Sequence, residues 1–214
     1  MTTIVRQMTL SDADEVNLFL RDHFYGSEPT LQTPGDHQRV VSEPDLNEYH
    51  TSQITQGTSL VAVNGERIVG IVLANALLPA EVEQAWIDIN KTKCQTLLKH
   101  VHRFLSGIER NAHVFEHYGV ERALYLHIVA VDSSMRNHGL GRRLVGELIN
   151  VGRNMGFPIM FSTCTSFFSK RLMSALGMEC VHTEAYADYK DDDGNVVIQP
   201  PAPHTDASVM AIRL

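Results

Sequence analysis

Between Arg122 and Gly156 the chain runs from an apolar stretch, "RALYLHIVAV", through "DSSMRNHG", into "LGRRLVGELINVGRNMG". This passage constrains the fold more than any other. Leu124, Leu126, Ile128, Val129 and Val131 form a nearly continuous apolar run, the pattern of a strand covered on both faces. Leu140, Leu144, Val145, Leu148, Ile149 and Met155 recur at helical spacing, and Gly156 is a natural stop. A buried strand that turns through glycine into an amphipathic helix requires a sheet with helices packed on it.

The rest of the sequence supplies both kinds of element. "TIVRQMT" reads as a first strand, and "LSDADEVNLFLRDHF" as a helix capped by Ser11. "YGSEPTLQTPGDHQ" is a loop by its glycine and prolines, and "EPDLNEYHTSQITQG" predicts a helix ending at Gly57. Asn64-Gly65 between two apolar runs predicts a hairpin. A long helical stretch follows, from about Lys91 to Tyr118. "PIMFSTC" predicts a buried strand, and "SFFSKRLMSALG" a helix stopped at Gly177. "MECVHTEAYADY" and "TDASVMAIRL" read as the last two strands, separated by a polar and proline-rich segment. With no internal repeat, residues 1–214 are expected to form a single α/β or α+β domain with a mixed sheet.

Composition excludes several function classes. The 25 acidic and 18 basic side chains leave a net charge of −7, which argues against a nucleic-acid binder. Cys94, Cys164 and Cys180 are odd in number and contain no CxxC pair, so free thiols in a reducing compartment are expected. No apolar run reaches the length of a membrane span, and the start carries no signal-type core. A cytoplasmic location without membrane association is therefore expected, and the absence of an exposed heptad suggests a monomer. Metal sites are not expected. His113 and His117 are spaced i, i+4, but "HVFEH" is not the zinc motif HExxH, and "KDDDGN" lacks the spaced acids of a calcium loop.

"SSMRNHGLGRRL" carries the first chemical signal. Gly139 and Gly141 permit positive φ and close approach of a ligand to the backbone. The N–H groups that open the following helix lack internal partners and attract anions, and Arg136, Arg142 and Arg143 add charge. Local physics leaves two readings open: a phosphate cradle, or a tight strand–helix turn with surface arginines. The stretch is not a P-loop, because it lacks G-x-x-x-x-G-K-[ST].

Arg136-Asn137-His138-Gly139-Leu140-Gly141, with the strand before it and the helix after it, resembles the acyl-coenzyme A motif [Q/R]-x-x-G-x-[G/A] of the GNAT superfamily of N-acetyltransferases. "FSTCTSFFSKRLMSALGMECV" resembles that family's next strand, helix and turn. Ser27-Glu28-Pro29, Cys164-Thr165-Ser166-Phe167-Phe168-Ser169 and the "QPPAPH" loop before the last strand resemble the insect arylalkylamine N-acetyltransferases within it. Ser27 stands where those proteins often have Asp, a departure that bears on substrate preference.

The resemblance implies a GNAT fold: a central mixed, mostly antiparallel sheet of about seven strands, flanked by helices, with splayed central strands. It implies acetyl-CoA as donor, with no metal, and a small primary amine as acceptor. It assigns the pantetheine arm to Ile128, Val129 and Val131, and the pyrophosphate to Arg136, Asn137, His138, Gly139, Leu140, Gly141 and Arg142. Ser166 and Ser169 adjoin the cofactor. Glu28 takes the place of the general base, Ser169 acts near the leaving sulfur, and His204 aids substrate organisation or proton relay. Against these stand a solvated loop acid for Glu28, helix capping by Thr165 or Ser166, and a surface histidine for His204. The implied reaction is direct acetylation of an arylalkylamine of the dopamine, tyramine, octopamine or serotonin type. The alternatives are agmatine or polyamine acceptors, longer acyl-CoA donors, protein lysine as acceptor, and a silent acyl-CoA-binding module.

Overall fold

The computed structural model describes residues 2–33, 50–91, 93, 94 and 96–214. Seven strands make one sheet: β1 Ile4–Gln7, β2 Leu60–Asn64, β3 Arg67–Leu77, β4 Ala123–Val131, β5 Ile159–Cys164, β6 Glu179–Ala185 and β7 Asp206–Arg213. Their order is β1-β2-β3-β4-β5-β7-β6. Every neighbouring pair is antiparallel except β4 and β5. The helices are α1 Ala13–His23, α2 Pro79–Asn90, α3 Leu97–Asn111, α4 Val114–Tyr118, α5 Leu140–Asn154 and α6 Phe167–Ala175. Among the described residues no helix is long and apolar enough to cross a membrane. This is the GNAT fold that the sequence resembles.

Helices cover both faces of the sheet, as the apolar run in β4 requires. Leu140, Leu144, Val145 and Leu148 of α5 pack with Leu124, Leu126 and Met160 in one core. On the opposite face, α3 contributes Val101, Phe104 and Ile108 beside Tyr125 and Phe161. Farther along that face, α1 contributes Val16, Phe19 and Leu20 beside Ile71, Ile128 and Ala130.

One irregularity in β4 shapes the centre of the sheet. Ala74 of β3 pairs with Leu126, but the next residue, Leu73, pairs with Ile128. His127 is therefore the extra residue of a β-bulge. A bulge inverts side-chain parity. Leu124 and Leu126 face α5, whereas Ile128 and Ala130 face α1. On its other side β4 pairs with β5 at only two rungs, Leu124↔Met160 and Tyr125↔Phe161. Beyond those rungs the central strands part.

Two local expectations are corrected. Ser11 does not cap the first helix. It lies within a 3-10 turn, Leu10–Asp12, whose N-cap is Thr9. Asp12 binds the Thr9 N–H at 2.8 Å and the Arg6 guanidinium at 2.8 and 2.7 Å. The helical stretch from Lys91 to Tyr118 is broken, because His113 adopts left-handed φ and ends α3 before α4. "PAEVEQAWIDIN", not assigned from its pattern, is α2. Only Val82 within it is buried, so its apolar periodicity is weak. Residues 50–54 are helical and Gly57 closes their turn at φ +73°; the earlier part of that expected helix lies outside the described residues.

Asp12 is only 8% exposed, and the bond from Arg6 holds its carboxyl well below the usual carboxylate range. Asp12→Asn is expected to cost about 1–2 kcal/mol near neutral pH. A depressed folded pKa contributes stability that is present above the unfolded value of about 4 and lost as pH falls. Denaturation midpoints are therefore expected to differ at pH 7 and to converge toward pH 2.

Candidate active site

The glycine turn begins where β4 ends. Asp132 accepts from the Ser134 N–H at 2.8 Å and from its hydroxyl at 2.7 Å, which folds residues 133–135 into a 3-10 turn. Asn137 and Gly139 then take positive φ, 64° and 80°. Gly141 does not. It lies inside α5, so the second left-handed residue of the loop is Asn137 rather than Gly141. The first bond that closes the helix runs from the Arg143 N–H to the Gly139 carbonyl, at 3.0 Å. The N–H groups of Leu140, Gly141 and Arg142 precede that first closing bond and so have no intrahelical acceptor. Residues 136–139 are exposed. An array of free N–H groups at a helix start is an anion cradle.

The arginines divide their work. Arg136 donates to the Val131 carbonyl at 3.2 Å and to the His23 carbonyl at 2.9 Å. It pins the loop to the end of α1. Arg143 donates to the Thr3 carbonyl at 2.8 Å. Arg142 is exposed beside the free N–H groups.

The cradle adjoins the gap between β4 and β5. In strands that are otherwise buried, His127, Val129, Val131 and Thr163 are each partly open. Beyond Tyr125 the β5-facing edge of β4 has no partner strand among the described residues. Such an edge leaves backbone groups for an extended ligand that carries amides. The sites assigned to Ile128, Val129 and Val131 therefore line an open edge.

Glu28 stands beside the same gap. It is the N-cap of a short turn, Pro29–Leu31, and Oε1 accepts from the Thr30 N–H at 3.3 Å and its hydroxyl at 2.9 Å. Oε2 accepts from the Thr165 hydroxyl at 3.1 Å, across 137 positions in sequence. Burial pushes the carboxyl above its usual range, and these hydrogen bonds only partly offset it. Glu28 is thus not a solvated loop acid.

The residues just after β5 gather the other candidates. Thr165 reaches Glu28. Ser166 caps α6, accepting from the Ser169 N–H at 2.9 Å, while Ser169 donates to the Ser166 carbonyl at 2.9 Å. The Phe167 N–H donates to His204 Nδ1 at 3.2 Å, and Phe168 lies edge-on to the His204 ring. Glu28, Ser169 and His204 therefore converge on one turn, residues 165–169. Helix capping is real for Ser166, and His204 is a second cap on the same helix start. Cys164, one residue earlier, is buried and its thiol is pushed up to about 12, chiefly by that burial.

Several neighbours were not singled out from sequence. The Tyr186 hydroxyl donates to the Thr165 carbonyl at 2.6 Å. The Tyr25 hydroxyl pairs with His50 Nε2 at 2.8 Å, and His50 Nδ1 with Asn17 at 2.7 Å. Burial lowers His50 to about 4 and His127 to about 3, so both rings are neutral at pH 7. On α3, Glu109 accepts from the Tyr125 hydroxyl, and from the Thr163 hydroxyl at 3.1 Å. A signal for Glu109 existed: it follows Ile108 and lies four positions after Leu105, inside the apolar stripe.

An anion cradle at a strand–helix turn, a parted sheet centre and a half-buried carboxylate beside it are the parts an acyl-coenzyme A-dependent transferase requires. Residues 27–177 match the model of the Acetyltransferase (GNAT) family, and the chain belongs to that family, whose donor is acetyl-CoA. Its architecture is similar to that of an agmatine N-acetyltransferase mutant in apo form, 30% identical over 99% of both chains with a TM-score of 0.90. It is also similar to a Drosophila melanogaster polyamine N-acetyltransferase that forms N-acetylagmatine, 28% identical over 100% of both chains, TM-score 0.90. A mosquito arylalkylamine N-acetyltransferase-like 5b is 26% identical over 100% of both chains, TM-score 0.89.

Proposed function

We propose that the chain transfers the acetyl group of acetyl-CoA directly to the primary amine of a small arylalkylamine of the dopamine, tyramine, octopamine or serotonin type. The observation that carries this reading is the Glu28 carboxylate, raised by burial, beside the parted strands and the cradle. An alkylammonium titrates at roughly 10, so it must lose a proton before it can attack. Glu28 accepts that proton, directly or through water, because a raised carboxyl is the stronger base. Thr30 and Thr165 fix its two oxygens. Acetyl-CoA, when bound, supplies the thioester carbonyl. The backbone N–H groups of the loop and helix start from Asn137 to Arg142, with the Arg142 side chain, hold its pyrophosphate, and the open edge of β4 receives the pantetheine arm. Arg136 acts by fixing the loop. Ser169 and His204 hold the 165–169 turn, Ser169 beside the leaving sulfur.

A second reading, agmatine or a polyamine as acceptor, is favoured by the half-buried carboxylate of Glu109. Thiol release from acetyl-CoA against tyramine, dopamine, octopamine, serotonin, agmatine and putrescine tests both. Amine-dependent release with the arylalkylamines is the expected result, and no release with any amine overturns the proposal.

A further inference from the structure

We infer that Glu109 is a specificity-determining residue that receives a second cationic group on the acceptor amine, so that the site also takes short diamines and guanidino amines. The inference rests on the acetyl-transfer reading above and concerns the far end of the acceptor.

Glu109 projects from α3 onto the base of the gap, where the last β4–β5 rung, Tyr125↔Phe161, gives way to open strands. The Tyr125 hydroxyl and the Thr163 hydroxyl both donate to one oxygen, Oε1. Oε2 has no hydrogen-bond partner among the described residues. Among the described residues no lysine, arginine or histidine pairs with Glu109; the adjacent Arg110 turns away to Glu83 at 2.6 Å. Burial pushes the carboxyl up to about 7, and the two hydroxyls relieve it only in part. Glu109 is half-buried rather than enclosed, and Oε2 is an acceptor that no side-chain donor or counter-charge of the described residues occupies. A cationic ligand group would complete it.

The placement fits one ligand with two heads. Phe161, Thr163 and Thr165 alternate along one face of β5 and its extension. Thr163 binds Glu109, and Thr165 binds Glu28. Their Cα atoms are therefore roughly 7 Å apart along the strand direction. An amine nitrogen at Glu28 and an ammonium or guanidinium at Glu109 would be joined by a short alkyl chain. An aryl group in the same position has no charge to give Glu109.

Two measurements test this. In the wild-type chain, agmatine and putrescine are expected to exceed the singly charged n-pentylamine and n-butylamine in kcat/KM by about tenfold or more. In Glu109→Gln, the ratio of kcat/KM for agmatine to that for tyramine is expected to fall by about tenfold or more, carried by KM for agmatine. Melting temperature and KM for acetyl-CoA report whether the variant is folded. Wild-type turnover of tyramine with no advantage for a second charge overturns the inference and leaves the acetyl-transfer reading standing. Equal losses for both amines in Glu109→Gln also overturn it, since they indicate a general role. Absence of turnover with every amine is failure of the acetyl-transfer reading itself.

Discussion

Glu28→Gln is expected to lower kcat/KM for the amine by about 10²- to 10⁴-fold at pH 7, the range associated with a positioned general base. The change is isosteric. Gln can still accept from Thr30, and the Thr165 hydroxyl can rotate to accept from the new amide. What is lost is the ability to take a proton. In the wild-type chain kcat/KM is expected to rise with pH through the Glu28 titration, above the usual carboxylate range because the group is buried. The variant lacks that limb and follows only the free amine fraction, so the deficit shrinks as pH approaches the amine's own value of roughly 10. The stability linkage has the opposite direction. A carboxyl whose folded pKa is raised contributes stability below its unfolded value, and this is lost as pH rises through the folded value. Gln removes that loss, so the variant is expected to melt no lower than the wild type at pH 8. Full kcat/KM retained from pH 6 to 9 would exclude Glu28 as the base. Cys164 is no substitute nucleophile, because its thiol is buried and titrates near 12. Isolation of an acetyl group on Cys164 would overturn direct transfer.

The parts of the fold legible in the sequence are those written by local periodicity. β4, the glycine turn and α5 follow from an apolar run, a glycine and a helical repeat, each readable within one segment. The Asn64-Gly65 hairpin was legible for the same reason, and Gly65 has φ +66°. The bulge at His127 was not. It is a relation between β4 and β3, and nothing within "LYLHIVAV" marks which residue is surplus. Yet that bulge redirects the strand beside the gap. The cap at Thr9 escaped because Asp12 serves Arg6 and Thr9 at once, and Arg6 lies in another element.

The candidate site divides in the same way. Gly139 was legible from local chemistry, whereas Glu28 in "GSEPT" reads locally as a solvated acid, and only resemblance raised it. Its partner Thr165 arrives through tertiary contact, as do Tyr186 and the His204 cap on α6. Arg136 combines the two. Its place in the motif suggests a phosphate ligand, and the fold adds contacts the motif does not show: Nε and Nη2 donate to the carbonyls of Val131 and His23.

Gly139→Val is expected to raise KM for acetyl-CoA by roughly tenfold to a hundredfold, with a smaller effect on KM for the amine. Gly139 has φ +80°, and apart from its chain neighbours no atom of the described residues lies within 4 Å of a Cβ placed there. The obstacle is therefore the backbone conformation itself. An L-residue in the left-handed region costs about 1–2 kcal/mol, and β-branching adds to that. Since about 1.4 kcal/mol is tenfold in an equilibrium, the loop is expected to leave the conformation that aims its free N–H groups together. Gly141→Ala separates this from direct contact with the ligand. A Cβ at Gly141 would lie 3.5 Å from Leu172 Cδ2 and 3.7 Å from Val131 Cγ2, both ordinary contacts, on a backbone that is already helical. Its melting temperature is expected to equal or exceed that of the wild type, because Ala favours helix over Gly. Any loss of acetyl-CoA affinity in Gly141→Ala then measures how closely the pyrophosphate approaches the helix start. Wild-type affinity in Gly139→Val would mean that this turn is not the phosphate site, and that the left-handed pair Asn137 and Gly139 serves only to join β4 to α5.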